Sequence, residues 1–178
     1  MNYFRIFSQV LLAGIMGFTA SCSKDNLSVA FSFNAADIHF TVDSTDQFGS
    51  FDVVKEDMPN NLNAMAEENG VDPSSVSSLT IERVVIAIED PADANFDVVS
   101  SAEVFISTPT IEEVRIASKT DIEAGATSIL LDVTDENLLN YFHEDVINVR
   151  VNLVTTAPVE KSVDMKTSIV FNSKGEVL

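Results

Sequence analysis

Thr80-Ile-Glu-Arg-Val-Val-Ile-Ala-Ile-Glu89 is the longest apolar strand pattern in the chain. Val84–Ile88 is apolar on both alternating faces, which predicts a central strand covered on both sides. The stretches around it keep a period of two. Val29, Phe31 and Phe33 share one face against Ser28, Ala30 and Ser32, and Ile38, Phe40 and Val42 continue the pattern with His39 turned the other way. Phe48–Val54 reads as a further strand interrupted by Gly49. Glu103–Ser107, Ile111–Ala117 and Thr127–Val133 follow, Phe96–Val99 lying before them as a segment that reaches the core. Ile147, Val149, Val151 and Leu153 alternate with Asn148, Arg150 and Asn152. Val163, Met165, Thr167, Ile169 and Phe171 form the last inward row, and Asn172–Gly175 reads as a turn. Eight or nine strands separated by turns, with no βαβ rhythm, predict an all-β fold: a two-sheet antiparallel β-sandwich, Ig-like or jelly-roll.

Helical signals are confined to connections. Pro59 precedes Asn60 and Asn61, either of which caps a helix carrying Leu62, Met65 and Ala66, and Asn69-Gly70 stops it. Asp72-Pro73 opens a single further turn toward Val76 and Leu79. Thr134 or Asp135 caps a third short helix, with Leu138, Leu139 and Phe142 inward. One to three short helices are therefore expected, those of residues 60–79 plugging one end of the sheets.

The 178 residues hold 28 Asp+Glu against 10 Lys+Arg, a formal net charge of −18. Nucleic-acid binding runs on Lys and Arg neutralising phosphates, so a nucleic-acid partner is not expected. One cysteine excludes an internal disulfide, and the fold must be held by its core.

That cysteine sits behind a leader. Arg5 gives a positive start, Val10–Phe18 an apolar run too short to span a bilayer, and Thr19-Ala20-Ser21 small residues before Cys22. Thr19-Ala20-Ser21-Cys22 resembles the lipobox of bacterial lipoproteins, with Thr19 where the family usually carries Leu, Val or Ile. The resemblance implies that residues 1–21 are a signal peptide, that Cys22 receives a diacylglycerol and an N-acyl chain, and that 22–27 form a lipidated tether. Ser23, Lys24 and Asp25 resemble the charged surface-export signal of Bacteroidota lipoproteins. This implies an outer-membrane protein, at the cell surface more than on the periplasmic face. Residues 28–178 are then one sandwich domain.

Catalytic constellations are missing from the sequence. His39 reads as an outward strand residue and His143 as the end of a short helix, where a cation suits the helix dipole. No nucleophile stands in a recognisable elbow, and six scattered glycines form no phosphate loop. Calcium is the best ion candidate, because hard cations take clustered carboxylates. Glu89, Asp90, Asp93 and Asp97 form the densest loop cluster, with Asp43/Asp46 and Asp132/Asp135/Glu136 behind it; none has the spacing of an EF-hand loop. The expectation is a non-enzymatic, lipid-anchored protein with a binding or structural role in a membrane-associated complex or in adhesion, beside a protein partner at the outer membrane. The alternatives are a solute-binding module for a small hydrophobic or carbohydrate ligand, between the sheets or in a mouth capped by residues 60–79, and a carboxylate- or metal-dependent hydrolase.

Overall fold

The computed structural model describes residues 28–45 and 48–176. Eight strands carry the fold: β1 (Ser28–Val42), β2 (Ser50–Pro59), β3 (Ser78–Asp90), β4 (Val99–Ser107), β5 (Val114–Lys119), β6 (Ser128–Val133), β7 (Val146–Thr155) and β8 (Val163–Glu176). They hydrogen-bond in the order β1-β8-β3-β6-β5-β4-β7-β2, every pair antiparallel. The β6–β5 join is short, pairing only Val133 with Ala117 and Asp132 with Ser118. At that seam the array folds over into two four-stranded sheets, β1-β8-β3-β6 and β2-β7-β4-β5, whose inner faces share one core. Every connection crosses between the sheets except the β4–β5 hairpin. That order is the jelly roll of two Greek keys. It selects one of the two sandwich types expected from the sequence.

The core follows the alternation. Val84, Ile86, Val104, Ile106, Ile147, Val149, Val151, Leu153, Ile169 and Phe171 are all buried on inner faces. Phe33 stacks on Phe171 at 5.5 Å between ring centres, and Phe142 meets Phe171 edge-on at 4.9 Å. Phe96 is fully buried from its loop.

Several expectations change in detail. β3 is central, between β8 and β6, but only one face is covered: Val85 and Ala87 on the other face are half-exposed. Jelly-roll sheets are open to water outside, so the apolar run outlasts the burial. Residues 172–175 are no turn. β8 continues through them to Glu176, with Ser173 buried and bonded to the Ser78 carbonyl at 3.1 Å. Gly175 is needed there by packing: a Cβ at this position would lie 2.4 Å from Val71 Cγ1. β2 starts at Ser50 and leaves Phe48 64% exposed.

The connections fold as short caps. α1 (Leu62–Glu68) buries Leu62 and Ala66, and Gly70 at φ 71° ends it. Asn60 makes the entry, its Oδ1 accepting from Leu62 N–H at 2.9 Å. The 3₁₀ turn η1 (Pro73–Ser75) is capped by Asp72, which accepts from Ser74 N–H. The third helix shrinks to the 3₁₀ turn η2 (Leu139–His143), with Leu138 and Phe142 buried. Neither Thr134 nor Asp135 caps it; Asn137 Oδ1 instead accepts from Leu139 N–H and from Leu79 N–H at the start of β3. A side chain tied to a neighbouring strand holds residues 134–138 out of a helix. α1, η1 and η2 all lie at the end of the sandwich where β1 begins and β8 finishes, Ser28 opposite Glu176. Residues 43–45 and 48–49 and the loops 91–98, 120–127 and 156–162 form the other end.

Candidate functional site

The residues predicted to carry lipid and sorting signal, Cys22, Ser23, Lys24 and Asp25, lie outside the described residues. The first described residue, Ser28, fixes where the chain enters the sandwich: at the helical end, beside Glu176.

The acidic cluster proposed for calcium is at the opposite end, but the fold gives its members separate partners. Glu89 faces His39, Oε2 to Nδ1 at 2.8 Å. Asp93 pairs with Lys161 at 2.8 Å, which holds its carboxyl below the ordinary value. Asp97 accepts from Gly125 N–H at 2.5 Å, pinning one loop to the next. Asp90 ends β3 before a cis peptide bond to Pro91. Among the described residues no three His, Cys, Asp or Glu side chains come together as a metal would need. Asp46 of the Asp43/Asp46 pair also lies outside the described residues. Asp132 of the last group bonds Lys119 Nζ at 3.2 Å instead.

The histidines are not brought together. His39 is outward on β1, as its parity requires, and His143 closes η2. His143 borders a groove of about 360 Å³ between α1, η1 and η2, floored by Leu62, Val76, Leu139 and Phe142. This groove lies at the end of the sheets that residues 60–79 cap. The space between the sheets is filled by side chains, with the Phe33–Phe171–Phe142 cluster near that end.

The most organised polar constellation lies outside every site that the sequence points to. Arg150, outward on β7, lies flat over Phe105 of β4, its guanidinium carbon 4.0 Å from the ring centre. Its Nε and Nη2 donate to the two carboxylate oxygens of Glu113 at 2.8 and 2.6 Å, and Nη1 donates to Asp52 Oδ1 at 2.5 Å. Asn152 Nδ2 donates to the same Asp52 oxygen at 2.9 Å and to Ser50 Oγ at 2.7 Å. The Asn152 bond and then Arg150 depress the Asp52 carboxyl, Arg150 depresses Glu113, and the two carboxylates raise Arg150 in turn. Glu113 leads into β5 and Asp52 is on β2, so one arginine spans the whole outer face of that sheet. Every guanidinium nitrogen already has an acceptor, so the arrangement is a brace rather than a waiting binding site. The signal was in the sequence: Phe105 and Arg150 stand among outward positions, where an aromatic is out of place unless something covers it.

No protein-family model matches the sequence, and no characterised protein matches it. Among solved structures, that of Triatoma virus is 13% identical, aligned over 98% of this chain and 78% of that one with a TM-score of 0.34. That of turnip yellow mosaic virus is 10% identical over 99% and 92%, with a TM-score of 0.25. Likeness at that level assigns neither family nor function; the jelly-roll assignment stands on strand order.

Proposed function

We propose that this protein is a lipoprotein anchored through Cys22 in the outer membrane, facing the cell surface, with a non-enzymatic binding or structural role in a membrane-associated assembly. The observation that carries it is Thr19-Ala20-Ser21-Cys22, the sole cysteine directly behind a short apolar run. A diacylglycerol with a further acyl chain holds a protein stably, at about 0.8 kcal/mol per buried CH₂. The chain's entry at one end of the sandwich is consistent with this: a tether there leaves the four loops of the opposite end facing away from the membrane. The strongly negative surface disfavours close contact with anionic headgroups and with nucleic acid. The test is growth with labelled palmitate. Wild type takes up label and Cys22→Ala does not; an unlabelled wild type, or equal labelling of both, sinks the proposal. Protease shaving of intact cells removes the domain if it faces outward, and exchanging Lys24 and Asp25 for neutral residues then keeps it inside.

The groove beside His143 favours one second reading, a module that takes a small apolar or carbohydrate ligand in the mouth at the helical end. Its mark is a ligand-dependent rise in melting temperature that Leu139→Asp abolishes. A broad library without a single shift removes it.

A further inference from the structure

Closing a jelly roll at one seam leaves two free edges, and here they are unlike. β2 is guarded. Lys55, Glu56 and Asp57 stand in a row at a register shift, Asp57 adopts φ 54° with its N–H turned back to Asn148 Oδ1 at 3.0 Å, and Pro59 ends the strand. Charges, bulges and proline are the usual means of stopping a strand from pairing with a stranger. β1 is 15 residues long, holds no lysine and no proline, and is uncharged from Ser28 to Ala36. Its inner row is the apolar set Phe31, Phe33, Ile38 and Val42. Its sole irregularity is the register shift between Asn34 and Asp37. It pairs with β8 on one side, and no strand among the described residues pairs with the other.

Between the two edges runs a groove of about 490 Å³, with Ile38 and His39 on one wall and Lys55–Pro59 on the other. Asp37 on the β1 side is engaged by Ser168, Asn34 and Lys166. Glu56 and Asp57 on the β2 side form no ion pair among the described residues. We infer that the β1 edge is a docking site for an extended segment of a partner protein, added as a ninth strand, with basic side chains facing Glu56 and Asp57. The bare edge selects an extended backbone, since only that matches a row of free N–H and C=O groups. The β2 wall carries Glu56 and Asp57 against one cation, Lys55, and that net negative charge, in a chain with 28 acids to 10 bases, selects basic side chains. A second copy in the same membrane is disfavoured: antiparallel β1–β1 pairing points the two tethers in opposite directions. This step rests on the proposed anchor; the edge itself does not.

The experiment uses amide hydrogen exchange on the full chain, with a synthetic octapeptide of alternating valine and lysine as probe. Saturating peptide slows exchange of β1 amides between residues 31 and 42 by at least about tenfold. The same peptide N-methylated at every second residue, unable to complete a ladder, has no effect. Glu56→Gln with Asp57→Asn weakens peptide binding severalfold and leaves exchange of the free protein unchanged. Three results overturn the inference. One is no protection in β1. Another is protection that survives N-methylation, which marks charge attraction alone. The third is β1 protection that rises with protein concentration without peptide, which marks a second copy as the occupant. Palmitate labelling does not enter this readout, so the edge and the anchor fail independently.

Discussion

Arg150→Met tests whether the brace across the outer face holds the second sheet together. Methionine keeps most of the aliphatic stem over Phe105 and removes the charge, so packing is perturbed little. The loss is three charge-assisted hydrogen bonds and one guanidinium–ring contact. A hydrogen bond to a charged group contributes roughly 1.5–3 kcal/mol when shielded and far less in water. The Arg150 side chain is 25% exposed, but Asp52 is 50% exposed and Glu113 37%, so solvent screens a large part. The ring contact adds about 0.5–1 kcal/mol at such a site. The expected loss at pH 7 is about 2 kcal/mol. With a urea slope of roughly 2 kcal/mol per molar, the unfolding midpoint falls by about 1 M. The pH dependence supplies a second, independent readout. Both carboxyls titrate below their ordinary values in the folded protein, so they add stability above the unfolded carboxylate pKa of about 4. That stability is lost as pH falls through the lower folded values. The gap between wild type and Arg150→Met therefore narrows as pH falls below about 4. Circular dichroism during urea titration at pH 7 and at about pH 2 measures it. A gap below about 0.5 kcal/mol at pH 7, or one of the same size in acid, refutes the brace.

Phe171→Ala removes the ring shared by Phe33 and Phe142 from a fully packed site, and should cost about 4 kcal/mol in the same assay. Phe48→Ser, at a ring 64% exposed, should stay within about 0.5 kcal/mol. Asn60 donates through Nδ2 to the carbonyls of Phe142 and Glu144 while accepting from Leu62 N–H, so Asn60→Ala should lose about 1–2 kcal/mol. In exchange measurements the loss should concentrate in α1 and η2. Gly175→Ala pushes a methyl into Val71 and should cost about 1–3 kcal/mol, with Val71→Ala in the same chain recovering part of it.

Strand alternation made most of this architecture readable, because one side of each strand faces a shared core and the other faces water. The register shift in β1 can even be seen as a change of parity: Phe31 and Phe33 are inward at odd positions, Ile38 and Val42 at even ones. What alternation cannot carry is pairing. Nothing in Asn172-Ser-Lys-Gly175 says that β1 and β3 will pair with it and that Val71 and η1 will pack against it, so turn-like residues became the end of a strand. The helix at 134–142 failed for the same reason, since Asn137 is engaged by Leu79 from a distant strand. The acidic candidates are near one another in sequence, while their partners, His39, Lys161 and Gly125, come from elsewhere in the chain. The arginine brace depends on β5, β4, β7 and β2 lying in that order, which no local pattern encodes.

Ser28 and Glu176 face each other across one ladder, and this has a mechanical consequence. Force applied between those two points peels β1 from β8 one residue pair at a time, each bond loaded alone. Force applied between Ser28 and a strand bound along the β1 edge acts lengthwise. It loads many bonds of a 15-residue strand, about 50 Å long, together. The β1–β8 ladder thus yields as a zipper, whereas a strand bound on the other edge of β1 and pulled from the end away from Ser28 is held in shear.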